Sequence, residues 1–242
     1  MGIYIVFGIV CLIILLKLLK QDYTHSKKIE RHDTTYELES GHSWYDIKYN
    51  KGVKGKYLIF EELSKNIPGY KKIITNIYLF NEHQTRSEID ILLIHETGFY
   101  IIESKRYNGY IYGRQGDSTW TQYFYVKNKK QTYKFLNPIH QNYGHKMALK
   151  YTLNIMNDNY LKSYVIFSGK CKLKRIKLHP DCDTKVLRIE DMISEITTEI
   201  EKTNRVFTND QIDLYYYKLK AFTNKDKTIK QEHIKKIHEK IH

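Results

Sequence analysis

The chain has 242 residues with a formal net charge of +13, and 41% of its residues are hydrophobic. This length allows one domain with extensions or two small domains, and the apolar content argues against a disordered protein. The positive charge predicts attraction to polyanions, either nucleic acid or an anionic membrane surface. The three cysteines, Cys11, Cys171 and Cys182, are too few and too scattered for a disulfide framework, and no fourth ligand completes a zinc site with His179.

Residues 1–19 form an apolar segment that is interrupted only by Lys17. A bilayer-spanning helix needs about 20 apolar residues, or about 17 at the short end, so the segment is long enough if Lys17 reaches the interface. The basic residues follow the apolar run and no small-residue cleavage site is present, which disfavours a secretory signal peptide. We therefore expect a single-pass anchor in the cell membrane. Because basic flanks stay cytoplasmic, the main domain is expected to face the cytoplasm.

The stretch after this segment is polar and then becomes periodic. Residues 20–42 lack clear periodicity and are expected to form a juxtamembrane linker. Apolar residues at helical spacing predict a helix over residues 52–65. Strands are predicted over residues 71–80, as a hairpin over 87–105, over 109–113 and, extending the same sheet, over 120–125.

A second helix signal stands at Asn137-Pro138, where an N-cap amide precedes a proline at the first helical position. We expect this helix to reach about residue 156. Further strands are predicted over residues 163–168 and 184–189, and further helices over 191–202, 209–222 and 228–241. The order predicts a mixed α/β domain with a central sheet, and residues 223–242 are expected to be a basic C-terminal helix.

The predicted hairpin begins with two acids, Glu88 and Asp90, and ends with Glu103 and Lys105. If the chain turns about residues 96–97, Asp90 lies across from Glu103 and Glu88 lies across from Lys105, all on one face. Opposed Cβ atoms are about 5 Å apart, close enough for two carboxylates to hold one divalent cation. A three-residue turn would instead shift the register by one residue and separate the pair.

A cation between Asp90 and Glu103 would remove the repulsion between the two carboxylates. Mg²⁺ or Mn²⁺ is favoured over zinc by oxygen ligands, and either ion can activate water and neutralise charge on a scissile phosphate. Lys105 would point into the same pocket, where it could hold the nucleophilic water and counter the phosphoryl charge. The alternative is that these residues are solvated strand ends or a surface ion pair.

Several motifs, in this order, resemble the nuclease-related domain (NERD) family of the PD-(D/E)XK nuclease superfamily. The matching stretches are GVKG at 52–55, EID at 88–90, GFYIIESK at 98–105, NGYIYG at 108–113, Trp120 and NPIHQ at 137–141. The resemblance implies a restriction-endonuclease-like core with a central mixed sheet flanked by helices. It also implies metal-dependent hydrolysis of phosphodiester bonds by a domain over residues 43–222.

The resemblance further assigns roles to individual residues. Asp90 and Glu103 would be ligands of Mg²⁺ or Mn²⁺, Lys105 the catalytic lysine, and Gln141 an auxiliary polar contact, although Gln141 could equally be a surface amide. One departure is Lys56, which stands where the family usually has Glu. A cation there disfavours a second metal and is expected to weaken or abolish catalysis, or else to bind a phosphate.

The sequence thus predicts a membrane-anchored, divalent-metal-dependent nuclease-like protein that acts on nucleic acid, with DNA as the expected substrate. The alternative is a catalytically inactive module of the same fold that binds nucleic acid or a protein at the membrane. Metal binding at Asp90 and Glu103 separates the two. The 22 tyrosines could stack on the bases of a single-stranded substrate, although tyrosines more often serve as amphipathic core and surface residues.

Overall fold

A computed structural model of the chain describes residues 35–82, 84, 86–127 and 129–223. Within these ranges the helices are α1 (Thr35–Ser40), α2 (Trp44–Tyr49), α3 (Lys51–Asn66), α4 (Pro138–Leu153), α5 (Ile189–Lys202) and α6 (Asn209–Lys220). The strands are β1 (Lys71–Phe80), β2 (Arg86–His95), β3 (Gly98–Lys105), β4 (Gly109–Arg114), β5 (Thr119–Val126), β6 (Lys129–Leu136), β7 (Leu161–Phe167), β8 (Cys171–Lys177) and β9 (Thr184–Arg188). A short 3-10 helix, Asp158–Tyr160, precedes β7.

Two predicted elements, the membrane anchor over residues 1–19 and the helix over 228–241, lie outside the described residues. Among the helices that the structure does describe, none combines the length and apolarity that a membrane crossing requires.

The strands form two mixed sheets rather than the single central sheet that the sequence predicts. The first sheet has the order β1-β2-β3-β7-β9 and the second has the order β6-β5-β4-β8. The predicted strands near residues 109 and 120 do not extend the first sheet, because they pair with each other in the second. The sequence did not predict β6 or β8, the two outer strands of that sheet, because both are rich in lysine and carry no long apolar run.

Helices cover both faces of the first sheet. Ala148 and Leu149 of α4 pack with Ile212 of α6 on one face, and Ile59 of α3 packs with Ile196 of α5 on the other. Strands that are buried on both faces need apolar residues at consecutive positions. This explains why the middle of the hairpin reads as two unbroken apolar runs.

The second sheet packs its inner face against the end of β7. Ile111 and Trp120 of the second sheet share a buried cluster with Val165 and Phe167 of the first. The rings of Trp120 and Phe167 are stacked, with 6.4 Å between their centroids. The two sheets therefore share part of one hydrophobic core.

The described chain begins inside the predicted linker over residues 20–42, with the helix α1. Tyr36 of α1 is only 1% exposed, and its ring meets the rings of Tyr57 and Phe60 of α3 at 5.5 and 5.2 Å in edge-on contacts. The final part of that segment is therefore packed on the domain.

Candidate active site

The hairpin register agrees with the one predicted from the sequence. Ile94 pairs with Phe99, and the pairing of β2 with β3 continues to Ile91 and Ile102. Beyond that pair, β2 remains hydrogen-bonded to β1 and β3 remains hydrogen-bonded to β7. The acids Asp90 and Glu103 are the next residues on the two strands, so they lie where the strands begin to separate.

A change of face in β1 and β2 shapes this end of the sheet. Asn76 has φ of 54°, a left-handed conformation that is uncommon for a residue other than glycine. Ile74 and Ile77, which are three residues apart, pack into the same cluster, as do Ile89 and Leu92 on the neighbouring strand. Because side chains of a regular strand alternate with a period of two, a spacing of three means that both strands turn over here.

Lys56 of α3 reaches into this turned-over region. Its Nζ atom lies 2.6 Å from Asp90 Oδ1, 2.9 Å from Glu88 Oε1 and 2.7 Å from Asn76 Oδ1. Burial alone would lower the pKa of Lys56, but the two carboxylates outweigh it and raise the pKa well above its usual value. The ammonium is therefore held in its charged form by three oxygens.

The close approach of α3 to the sheet explains how Lys56 arrives there. A Cβ atom on Gly55 would lie 3.1 Å from Arg106 Cβ and 3.1 Å from Ser168 Oγ, which is tighter than most real contacts. The start of the helix is fixed by Asn50, whose side chain accepts hydrogen bonds from the N–H groups of Gly52 and Val53. The GVKG stretch thus sets the position of the lysine that follows it.

A second cluster lies on β3 and α4. Lys105 Nζ donates to Glu103 Oε1 at 2.5 Å and to Gln141 Oε1 at 2.9 Å. Burial lowers the pKa of Lys105, but its contact with Glu103 reverses this and leaves the pKa raised. Gln141 therefore contacts the proposed catalytic lysine, and its role as an auxiliary polar contact stays a prediction.

His145 belongs to the same cluster, although the sequence did not predict it. Its Nε2 atom lies 3.0 Å from Glu103 Oε2, and its Nδ1 atom lies 2.6 Å from Ser87 Oγ. His145 follows Gln141 by one helical turn and therefore projects from the same side of α4. This spacing was the signal in the sequence that could have found it.

The two predicted ligands differ in their electrostatics. Burial raises the pKa of Asp90, the ammonium of Lys56 opposes that effect, and repulsion from Glu103 adds to it. Burial would also raise the pKa of Glu103, but Lys105 and His145 lower it to about 2. Glu103 is therefore firmly ionised, whereas Asp90 feels the negative charge of its neighbour.

Asp90 and Glu103 are the residues that could hold a divalent cation. Each of their four carboxylate oxygens accepts a hydrogen bond or ion pair, from Ser104 N–H, Lys56, Lys105 and His145. A carboxylate oxygen has a second lone pair, which can still bind a cation. Across the described ranges, no group of three or more His, Cys, Asp or Glu side chains is arranged to hold a metal. Carboxylate oxygens are ligands that Mg²⁺ and Mn²⁺ accept, and water and phosphate oxygens would have to supply the rest of the coordination shell.

The structure brings together Asp90, Glu103, Lys105 and Gln141 as the sequence predicted. Glu88, in contrast, is paired with Lys56 rather than with Lys105 across the hairpin. The reason is the separation of β2 from β3, which turns the N-terminal end of β2 toward α3. The acids of the hairpin are thus divided between two lysines.

A mixed α/β domain with two carboxylates and a lysine at the opening of a central hairpin is the arrangement expected of a nuclease-like protein. The chain belongs to the nuclease-related domain family, whose model matches residues 51–168, and hence to the PD-(D/E)XK superfamily. It is also 32% identical to an uncharacterized protein of Bacillus anthracis over 191 aligned residues. The alignment covers 79% of this chain and 85% of the relative. No solved structure matches the chain.

Proposed function

We propose that the protein is a nuclease that hydrolyses phosphodiester bonds in DNA with one divalent cation, Mg²⁺ or Mn²⁺, held by Asp90 and Glu103. The observation that carries this proposal is that Asp90 and Glu103 are buried close enough together for Glu103 to raise the pKa of Asp90, while Lys105 donates to Glu103. The five-stranded sheet and its two helical layers would be the restriction-endonuclease-like core. The family membership supports a nuclease-related function in general, and the residue roles are our inference.

Lys105 would stabilise the charge that develops on the phosphate. Its raised pKa keeps it protonated near neutral pH, so it acts as a cation and not as a general base. Glu103 and Gln141 take two of its three N–H groups, and the third has no acceptor within the described part of the chain. That N–H is available to a phosphate oxygen or to the attacking water. The divalent ion would lower the pKa of a bound water and neutralise charge on the phosphate when it is present.

The other residues of the cluster would hold these groups in place. Gln141 fixes the ammonium of Lys105 from the side of α4, and His145 fixes the second oxygen of Glu103. Ser104 donates its backbone N–H to Asp90 at 2.9 Å, which orients the other carboxylate. Such preorganised contacts contribute to catalysis because the charged groups need not reorganise during the reaction.

The test is cleavage of labelled single- and double-stranded DNA by the full-length protein with Mg²⁺ or Mn²⁺. The variants Asp90→Asn and Lys105→Met should each lower the rate by at least about 100-fold, because each removes a charge that stabilises the transition state. The exposed pair Lys65 and Glu61 supplies a control, and Lys65→Met should cut like the parent. Cleavage that survives in Asp90→Asn would contradict the assignment.

A second candidate is a binding module in which the same fold no longer cleaves. It is favoured by Lys56, whose ammonium already pairs with both Asp90 and Glu88 without any ion. Calorimetry with Mn²⁺ separates the two candidates. Binding of Mn²⁺ that is lost in Asp90→Asn supports the nuclease, whereas no binding at all supports the module.

The location of the protein is also proposed from the sequence. Residues 1–19 would anchor it in the cell membrane with the nuclease domain, over about residues 36–222, facing the cytoplasm. The burial of Tyr36 supports a start of the domain a few residues before the boundary at 43 that the sequence suggested. Cell fractionation tests the anchor: the full chain should sediment with membranes and stay there in high salt, and a variant that lacks residues 1–34 should not.

A further inference from the structure

The outer face of the second sheet has a composition unlike that of the rest of the molecule. Its four strands are β4, β5, β6 and β8, with the sequences GYIYGR, TWTQYFYV, KKQTYKFL and CKLKRIK. They contain eight of the 40 Lys and Arg residues of the chain and none of its 27 Asp and Glu residues. A solvated face normally carries charges of both signs, so this one is selectively cationic.

Strand pairing shows which side chains share the outer face. Ile111 and Trp120 are buried on the inner side, so the alternate residues point outward. Tyr110 is paired with Tyr123 of β5 and with Lys172 of β8. Tyr110, Tyr112 and Tyr123 lie in the middle of the outer face, and Lys130, Lys172 and Lys174 are among the cations beside them.

A register shift in β8 increases the charge of this face. The pairing moves from Ile111 with Leu173 to Tyr112 with Arg175, so one extra residue is inserted into β8. Both Lys174 and Arg175 are exposed, where a regular strand would have turned one of them inward. The irregularity therefore adds a cation on the solvent side.

The tyrosine rings form a group in the middle of the face and the cations surround them. The rings of Tyr112 and Tyr123 meet edge-on at 5.1 Å. Lys130 Nζ lies 4.1 Å from the centroid of the Tyr123 ring, and Lys174 Nζ lies 5.8 Å from that of Tyr110. Every extensive contact between a helix and a strand in the described chain is made with the first sheet, so none of the helices over residues 35–220 packs broadly on this face.

We propose that the outer face of the second sheet binds single-stranded nucleic acid. Cations around the rings would contact the phosphates, and the tyrosine rings would stack on unpaired bases. A duplex fits less well, because its bases are already stacked on each other and cannot meet the rings. This inference rests on the proposed function for its biological meaning, since it names the substrate class that the nuclease would hold.

Only short chain segments connect the second sheet to Lys105, the proposed catalytic lysine. Lys105 pairs with Phe167, and the same two chain segments continue after short connections as the pair of Gly109 with Cys171. The parallel pair β3 and β7 is thus followed by the parallel pair β4 and β8. A single strand of nucleic acid bound to the second sheet would therefore lie near the end of the first sheet that carries Lys105.

The experiment measures binding of a fluorescent oligothymidine to the full-length protein in non-ionic detergent and EDTA, so that no cleavage occurs. Replacing Tyr123 by Leu should weaken binding about tenfold, because one stacking contact is lost. The matched control is Tyr217→Leu, which removes an exposed tyrosine from α6, and it should bind like the parent.

A second pair of variants tests the cations. Lys172→Ala with Lys174→Ala should weaken binding and lower the slope of log K against log salt by about 1.4, because two phosphate contacts are lost. The control, Lys202→Ala with Lys218→Ala, removes the same charge from exposed positions on α5 and α6 and should leave the slope unchanged.

Three results would overturn the inference. The first is an equal loss of oligonucleotide affinity in the sheet variants and in their controls. The second is an unchanged affinity in Tyr123→Leu. The third is binding through the sheet residues to vesicles of phosphatidylglycerol but not to the oligonucleotide. The outcome is separable from that of the proposed function. If the sheet variants weaken binding as predicted but the protein does not cleave in Mn²⁺, the binding face is supported and the nuclease is rejected. If the protein cleaves but the sheet variants bind like the parent, the nuclease is supported and the binding face is rejected.

Discussion

Lys56 is the residue that most distinguishes this site, because it places a covalently attached cation on two of the hairpin acids. Its side chain is 15% exposed and those of Glu88 and Asp90 are 12% and 14% exposed. Breaking a buried ion pair by removing one partner typically costs about 3–5 kcal/mol, because the remaining charge is left unpaired. The burial of this cluster therefore makes the effect of Lys56 measurable in two ways.

We predict that Lys56→Met lowers the free energy of unfolding by about 3 kcal/mol without metal, since Glu88 and Asp90 then repel each other. Mn²⁺ should restore more stability to this variant than to the parent, because the vacated position favours a cation. Thermal unfolding with EDTA and with Mn²⁺ measures both effects. Equal stabilisation of the parent and the variant by Mn²⁺ would mean that Lys56 does not occupy a cation position.

The buried side chain of His95 leads to a prediction about how the stability of the protein depends on pH. It is 2% exposed, its Nδ1 atom lies 2.9 Å from Thr97 Oγ1 and its Nε2 atom lies 3.0 Å from the carbonyl oxygen of Pro68. Burial lowers the pKa of His95, and the hydrogen bond to Pro68 opposes this only in part. The neutral ring is therefore the form that the folded protein prefers.

A histidine with a lowered pKa in the folded state stabilises the protein above its unfolded pKa of about 6.5, and this contribution is lost as the pH falls through the folded value. At pH 8, His95→Gln should be less stable than the parent by about 1–3 kcal/mol, because buried hydrogen bonds are lost. The difference should narrow below pH 6.5. Urea unfolding of both proteins from pH 8 to pH 5 is the measurement, and a constant difference would contradict the prediction.

At the scale of elements, the start of α4 positions the polar side of the site. Asn137 is 1% exposed and caps the helix by accepting a hydrogen bond from the Ile139 N–H at 3.0 Å. Its amide nitrogen also donates to the carbonyl oxygens of Gln115 and Asp117 at 2.8 and 2.7 Å. One side chain thus joins the helix to the turn between β4 and β5.

Replacing Asn137 by Ala should lower the free energy of unfolding by about 2–4 kcal/mol, because a cap is lost and buried carbonyl groups lose their donor. Asn137→Asp is the matched variant: it keeps the cap acceptor and loses the donor, and it should retain the helix start while still destabilising the turn. Chemical denaturation compares the three proteins. The cap would be unimportant if the Ala and Asp variants were equally stable.

The elements that the sequence predicted well are those whose signals are local. The register of the hairpin followed from its short turn and its apolar runs, and this placed Asp90, Glu103 and Lys105 together. The N-cap and proline of α4 gave that helix its start. Gln141 came from the family resemblance, and the structure shows that its side chain accepts a hydrogen bond from Lys105.

The elements that were missed depend on contacts between distant parts of the chain. The strands β6 and β8 are rich in lysine, and their extended form depends on pairing with β5 and β4. The left-handed Asn76 sits in the middle of an apolar strand with no neighbouring glycine or proline to mark it. The contact of Lys56 with Asp90 requires the packing of α3 on the sheet, which no local pattern encodes.

At the scale of the whole molecule, the two sheets are expected to unfold together because they share one cluster. Phe167 of the first sheet stacks on Trp120 of the second, and Ile111 and Val165 complete the contact. A cluster that spans two sheets couples their stabilities, since neither inner face can be exposed without the other.

We predict a single unfolding transition, with the fluorescence of Trp120 and the far-ultraviolet circular dichroism giving the same midpoint. Trp44→Phe provides the background in which Trp120 is the only tryptophan. Phe167→Ala should lower the free energy of unfolding by about 3–5 kcal/mol and keep the two midpoints together. Separate midpoints for the two probes would show that the second sheet folds independently.

The ammonium of Lys56 differs from a bound metal ion because its presence does not depend on the concentration of any ion in the cell. Occupancy of a metal site follows the free concentration of the ion in the cell, whereas a lysine is present in every folded copy. If a divalent ion is held between Asp90 and Glu103 as proposed, a chelator or a cell starved of Mg²⁺ or Mn²⁺ would empty that position and still leave Glu88 paired with Lys56. The N-terminal end of β2 would then keep its structure through metal starvation, so that a returning ion would meet two carboxylates already in place.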